Sequence, residues 1–473
     1  MIPRRLITAV SCIAAMAIGQ PAMAQGGDGP DAGWASFQGL YQALVETDTT
    51  LSGGSCTKAA RIAADHLATA GMARENLHVI VATDHPEEGS LVAIYPGTDP
   101  KAGAILLMAH LDVVEARRED WQRDPFKLIE EDGWFFARGA SDAKSLAAIW
   151  TDALARFARD GHRPRRTVKV MLTCGEETNG AFNGAEWLAA NRRELIDAEF
   201  ALNEGGGGTA DIDGKVLTQT VQVGEKTFAN YALETINPGG HSSLPRPDNA
   251  IYDLSRALLA VEALRFPVEL TDVTRQSLAQ EAKTGGAEMG AAIDALLADP
   301  TDATADAIVS TNPHLRGNTR TTCVATMVEA GHARNALPQR ATANVNCRIF
   351  PGHAIEDVRG QLERAIGNDA IVVTTLPPVR PAPEAPPITK ALMAPIETLV
   401  ARHYPGAAVG IRMSNGYTDS TFLTAAGIPA YGTPGLWWGP EPNGIHGLDE
   451  RIRVKSLMDG RAFLYDLVRA YVD

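Results

Sequence analysis

Residues 104–109, AILLMA, form an unbroken apolar run that stops at His110-Leu111-Asp112. A strand with no polar face must be buried on both sides, which is the environment of a parallel sheet covered by helices. The pattern recurs at 168–173, VKVMLT, which runs into Gly175-Glu176-Glu177, and at 198–202, which runs into Asn203-Glu204 and a string of glycines. In open α/β sheets ligands gather beyond the carboxyl ends of the strands, so each run delivers an acid or an imidazole to that place. Two adjacent glutamates at such a strand end are poorly explained as solvated surface charges.

With 473 residues the chain is too long for one ordinary core, and at least two domains are expected. Residues 34–70 show helical periodicity, interrupted at 52–55, and 77–83 and 91–95 predict two paired strands. A short strand at 134–138 leads through Gly139-Ala140-Ser141-Asp142 to a helix predicted at 145–158, so Asp142 is either a helix cap or a functional acid. At Val221 the repeated strand-then-helix order ends. Strands at 228–237, 320–329, 341–350 and 370–376 alternate with helices at 249–264 and 355–366, the order of a ferredoxin-like unit. Residues 265–312 are polar, helix-rich and without motifs, and read as a surface insertion. The proline-rich stretch 377–387 then carries the chain back to α/β character. The division expected is 1–24 as signal peptide, 25–220 and 381–473 as the two parts of one domain, and 221–380 as a domain inserted between them.

The formal net charge of -14, without a basic cluster, excludes a nucleic-acid partner. Arg4 and Arg5 followed by an apolar run and Ala22-Met23-Ala24 read as an export signal cleaved near Ala24/Gln25, placing the protein in the periplasm or outside the cell. No later segment is long enough for a membrane span. Of the remaining cysteines, Cys174, Cys323 and Cys347 lie in strand-like runs. They and Cys56 could pair in three ways, but are read as buried free thiols. No CxxC spacing is present, which removes a thiolate zinc site from consideration.

His110, Asp142, Glu177, Glu204 and His446, the last in a glycine-flanked loop, supply two imidazoles and three carboxylates. Mixed histidine and carboxylate ligation suits hydrolytic metal sites. With Asp142 as a bridge, these residues could hold two divalent ions, zinc first and cobalt or manganese as alternatives, and support hydrolysis through a shared hydroxide. Asp112 is placed to orient His110. Glu176 is left free to take a proton from water and return it to the leaving amine. The competing reading is an exported metal- or peptide-binding protein without turnover, and Glu176 discriminates, because binding alone needs no such acid.

Taken together, HLD at 110–112, RGASDAK at 138–144, GEETNG at 175–180, NEGGG at 203–207, GGHSS at 239–243, NALP at 335–338, CRIFPG at 347–352 and HGLDE at 446–450 resemble the M20 family of zinc metallopeptidases. The resemblance implies a mixed-sheet α/β catalytic domain of the di-zinc exopeptidase kind, interrupted by a ferredoxin-like α+β lid through which the chain forms a homodimer. It further implies that His241 stabilises the oxyanion, often across the dimer interface, and that Asn335 and Arg348 contact the substrate, Arg348 as a bidentate partner for a carboxylate. The expected substrate is a dipeptide, a peptide C-terminus or an N-acyl amino acid. The loop 416–420 resembles the family's substrate-side loop. Ser145 departs from the family's usual glycine after the lysine, and the insertion 265–312 is longer than a minimal lid needs.

Overall fold

The apolar runs pair with one another because none has a face to offer water. In the computed structural model, which describes residues 33–178 and 182–473, strand Ile105–His110 is buried at every position, as is Val168–Thr173. The two run parallel, from Ile105 opposite Val168 to His110 opposite Thr173. Phe200–Asn203 joins the other side of Ile105–His110, and Ala430–Gly432 joins Phe200–Asn203, both parallel. Antiparallel strands Ser90–Tyr95 and Leu77–Ile80 extend one edge, and Val216–Glu225, Gly207–Ala210, Trp437–Trp438 and Ala408–Ser414 complete a mixed sheet of ten strands. The expected signal segment 1–24, and Asn179 and Gly180 of the glutamate motif, lie outside the described residues.

Helix Lys144–Arg159 lies on this sheet with nearly all its length buried, and Trp150 Nε1 donates to Met108 O at 2.9 Å, pinning the helix to the strand that ends at His110. The helix starts one residue before the expected position. Ser145 fits there by donating to Ser141 O at 2.9 Å.

The second sheet has the order Thr322–Ala330, Arg340–Ile349, Thr227–Ile236, Val372–Leu376, antiparallel throughout. That is the strand order of a ferredoxin-like unit, with helices Ala250–Ala263 and Ile355–Ile366 closing a core around Tyr231, Leu233, Leu254, Val345 and Leu362. The alternating FANYALETIN run buries every second residue over much of its length.

In the chain between the second sheet's first helix and its strand Thr322–Ala330, helices Asp272–Thr284, Ala287–Ala298 and Ala303–Val309 occupy the stretch 265–312 read as a polar surface insertion, and Pro313–Asn318 follows directly after it. The four helices have a core of their own, built on Leu278, Ile293, Leu296, Val309 and Leu315. Thr271, Asp302 and Asn312 cap three of these helices through their side chains.

The reading of free cysteines is overturned: Cys56 pairs with Cys174, and Cys323 with Cys347. Strand-like neighbours report burial, but not what lies across the sheet. Cys323 and Cys347 stand directly opposite on neighbouring antiparallel strands. Cys56, at the start of helix Cys56–Thr69, is bonded to the residue that follows strand Val168–Thr173. The two bridges close loops of very different length, with sequence separations of 118 and 24. From chain entropy alone, replacing Cys56 and Cys174 by alanine is expected to cost about 1.4 kcal/mol more than replacing Cys323 and Cys347. Urea unfolding of the two double variants checks this, and an equal or reversed order contradicts it.

Candidate metal centre

The parallel strands all deliver their carboxyl ends to one place. His110 is the last residue of its strand, Glu176 and Glu177 follow Val168–Thr173, and Glu204 follows Phe200–Asn203. Gly175 makes the glutamate turn possible: it sits at φ +99°, and a Cβ there would lie 1.9 Å from Phe182 O. Asp142 precedes helix Lys144–Arg159 without capping it, since the cap position is Ala143 and makes no side-chain bond. The capping alternative is thereby removed, and the Asp142 carboxylate turns to the cluster instead.

His110 Nε2 lies 3.1 Å from Asp142 Oδ1 and 3.5 Å from Glu204 Oε2. His446 Nε2 lies 2.8 Å from Glu177 Oε1 and 3.4 Å from Asp142 Oδ2. The two oxygens of Asp142 therefore face the two imidazoles. Donor atoms of His110, Asp142 and Glu177 fall within 4.8 Å of one another, and so do those of His110, Glu176 and Glu204. His446 is held in the left-handed region at φ 57°, a conformation that costs a β-carbon-bearing residue free energy and marks a position set by its task.

The electrostatics are those of a site short of positive charge. Burial works against a charge on His110, but Glu204 and Asp142 outweigh it and raise its pKa well above the imidazole range. Hydrogen bonds to Asp142 and Glu177 push His446 up to about 10. Burial, reinforced by the Glu204 charge, raises Glu176 well above the carboxyl range, and burial raises Glu204 to about 7. For Asp142, burial is overcome by the bonds to His110 and His446, and its pKa falls. Protons collect where cations would neutralise the same carboxylates. Hard oxygen donors with two imidazoles fit divalent ions such as zinc, manganese or cobalt.

A second ring of groups holds these donors in place. Asp112 acts by two routes: its backbone oxygen lies 2.9 Å from His110 Nδ1, while its carboxylate accepts from Glu177 N at 2.9 Å and Glu176 N at 3.3 Å. It thus ties the His110 strand to the glutamate turn. Glu450, unassigned from sequence, accepts from Arg138 Nη1 at 2.8 Å and from the backbone nitrogens of Gly139, Ser141 and Asp142 at 2.9 Å each. Asp419 accepts from Asn183 Nδ2 at 2.7 Å and Thr173 Oγ1 at 2.9 Å, and burial raises it to about 6. In the 416–420 loop, Thr418 and Asp419 therefore face inward as struts. The signal for Glu450 was its place in the HGLDE motif; Asp419 had none beyond its loop.

His241, Asn335 and Arg348 do not join the cluster. His241 stands exposed on the short strand Gly240–His241, with Ser243 Oγ 2.8 Å from its Nδ1. That strand pairs with Ala336–Leu337, which brings His241 beside Asn335, whose carbonyl accepts from Ser242 N at 3.0 Å. Arg348 lies on Arg340–Ile349, its Cζ 5.5 Å from the Phe228 ring centre.

Two imidazoles and several carboxylates gathered at the ends of parallel strands define a metal-dependent hydrolase site. Residues 106–470 match the model of peptidase family M20/M25/M40, and the chain belongs to that family. The protein is accordingly a hydrolase of the metal-dependent, amide-cleaving kind. It is 28% identical over 391 residues to an N-fatty-acyl-amino acid synthase/hydrolase of Homo sapiens, covering 81% of this chain and 77% of that protein. It is 26% identical over 381 residues to aminoacylase-1 of Mus musculus, covering 78% and 80%. An M20 family metallo-carboxypeptidase from Sulfolobus solfataricus shares the fold, with a TM-score of 0.67 at 19% identity over 92% of this chain and 98% of that one.

Replacing Glu450 by glutamine leaves the buried Arg138 guanidinium without its anion and turns a donor toward backbone N–H groups. The expected loss is ~3–5 kcal/mol of stability, with reduced metal content because Asp142 loses its backbone anchor. Denaturant unfolding and elemental analysis test this, and an unchanged midpoint would show that the bracket does not hold the loop.

Proposed function

We propose that the protein hydrolyses an amide bond whose carboxyl-side product is a free amino acid, in a dipeptide, at a peptide C-terminus or in an N-acyl amino acid. The observation that carries this reading is the convergence of His110, Asp142, Glu177, Glu204 and His446 with Glu176 beside them. His110 and Glu204 would hold one divalent ion, Glu177 and His446 the other, and Asp142 both. Zinc is the first choice, with cobalt or manganese compatible. Bound there, the ions would polarise the scissile carbonyl and acidify water.

Glu176 takes a proton on its carboxylate and returns it to the leaving nitrogen. Its placement supports that task, because one of its oxygens lies within 4.8 Å of donor atoms of both His110 and Glu204, beside the ions the cluster would hold. Asp112 fixes the backbone from which Glu176 projects. Arg348 receives the substrate carboxylate, Asn335 contacts the substrate, and His241 donates to the developing oxyanion from a second copy of the chain. The homodimer is supported by strand Thr322–Ala330, an edge of the second sheet, which exposes Val324, Met327 and Val328 next to Ile251, Tyr252 and Leu259 of helix Ala250–Ala263. Export is supported by the two disulfides, which persist in oxidising compartments.

Glu176→Ala is expected to retain two metal ions and lose about a hundredfold to ten-thousandfold in kcat. Elemental analysis and a dipeptide and N-acyl amino acid screen read both quantities, and full turnover would sink the role assigned to Glu176. His446→Ala is expected to lose metal occupancy under the same analysis, and wild-type content in that variant would remove His446 from the ligand set.

A further inference from the structure

Strand Val216–Glu225 ends in a buried acid that the site described above does not use. Three donors converge on the Glu225 carboxylate: Thr421 Oγ1 at 2.7 Å, Thr418 Oγ1 at 2.9 Å and Gln222 Nε2 at 2.9 Å. Each leads toward a strand end that carries an acid of the cluster. Asn203, the residue before Glu204, donates through Nδ2 to Ser420 Oγ at 3.0 Å and to Thr418 Oγ1 at 3.4 Å. Gln222 lies against the residue after Glu204, since a Cβ on Gly205 would fall 2.7 Å from Gln222 Oε1. Glu204 is thus held from both sides. Asp419, between Thr418 and Ser420, accepts from Thr173 Oγ1 and Asn183 Nδ2, and Asn183 Nδ2 also donates to Gly175 O at 3.1 Å, next to Glu176.

We propose that Glu225 is a positioning residue for the metal centre, which holds Glu204 and the turn carrying Glu176 in place through Gln222 and the loop 418–421. The proposal rests on the amide-hydrolase reading above. Stability alone gives no reason for such a network. A buried carboxylate loses its water, and apolar side chains of the same volume would stabilise the fold as well or better. A fully paired polar network gives the loop one defined geometry instead, because each donor and acceptor is satisfied in a single arrangement. Asp419 shows the commitment: it stands at the start of helix Ser420–Ala425 without capping it, its carboxylate being taken by Asn183 and Thr173. The second sheet is fastened at the same place. Thr227–Ile236 begins two residues after Glu225, and the Phe228 ring meets Tyr417 edge-on at 5.5 Å. The sheet that carries Arg348 and the loop that sets the acids therefore share one anchor.

The test compares the wild type with Glu225→Gln, Thr421→Val and Thr421→Ser, the last of which keeps the hydroxyl that Thr421→Val removes. Chelator competition gives the zinc affinity, and thermal melts establish that each variant is folded. For the metal-loaded proteins, kcat and KM are measured on the best substrate of the dipeptide and N-acyl amino acid screen. Glu225→Gln and Thr421→Val are expected to lose about tenfold to a hundredfold in zinc affinity or in kcat, as when a partner that orients a ligand is removed. KM is expected to stay near the wild-type value, and Thr421→Ser to restore what Thr421→Val loses. Should Glu225→Gln fail to fold, the two Thr421 variants decide. Wild-type zinc affinity and kcat in folded Thr421→Val, or a loss that Thr421→Ser does not restore, overturns the positioning role and leaves the amide-hydrolase reading standing. Zinc affinity that Thr421→Val weakens and Thr421→Ser restores, in a protein that hydrolyses no amide tested, supports the positioning role and overturns the reaction. Unchanged affinity without hydrolysis overturns both.

Discussion

Asp112, Asp142, Glu176, Glu177 and Glu204 crowd one end of a parallel sheet with His110 and His446 among them. Carboxylates this close, in surroundings this dry, cannot all carry charge unless positive charge stands between them. The protons drawn onto His110, His446, Glu176 and Glu204 are the response of the cluster alone. The repulsion would drive the strand ends apart unless other contacts opposed it. The Cys56–Cys174 bridge, the Asp112 bonds to the glutamate turn and the Glu450 bracket are those contacts.

The bracket also explains how one site can be built from both ends of a chain interrupted by another sheet. Glu450 reaches back about three hundred positions to the loop around Asp142, and His446, four residues earlier, reaches Asp142 itself. The crossing is tightly made: strand Val216–Glu225 in the large sheet is separated from Thr227–Ile236 in the second by Lys226 alone. Lys226 N donates to Ser414 O, so the outgoing chain is tied to the segment that later returns. The backbone therefore leaves the large sheet and comes back to it at neighbouring places.

The cluster was legible in the sequence because its signal is local. An apolar run that ends in His110, in Glu176-Glu177 or in Asn203-Glu204 announces both the burial of the strand and the position of the group after it. The second sheet was legible for the same reason, its elements alternating in one recognisable order. What stayed hidden depends on partners distant in sequence. Glu450 and Asp419 are ordinary acids until Arg138 and Asn183 are known to face them. The cysteines were misread because periodicity reports which face a residue takes, and pairing depends on what stands opposite. The insertion was read as surface because its apolar positions are spread over four short helices, none of which announces a core by itself.

That independent core bears on how specificity can be arranged. Every group in the cluster is set by a strand end, by a loop bracketed to Glu450 or by the Asp112 ties, and none of those anchors belongs to the inserted helices. The helices have their own core, and Asp272–Thr284 also lies against strand Ala408–Ser414, presenting Ser277 and Gln280 to the space beside Asp142 and Glu204. A substitution at Ser277 or Gln280 of helix Asp272–Thr284 therefore changes the space beside the cluster without moving the strand ends, whereas a substitution at Glu450 acts on the loop that carries Asp142. The cluster and the inserted helices rest on separate supports in this fold, so the helices can vary without disturbing the acids at the strand ends.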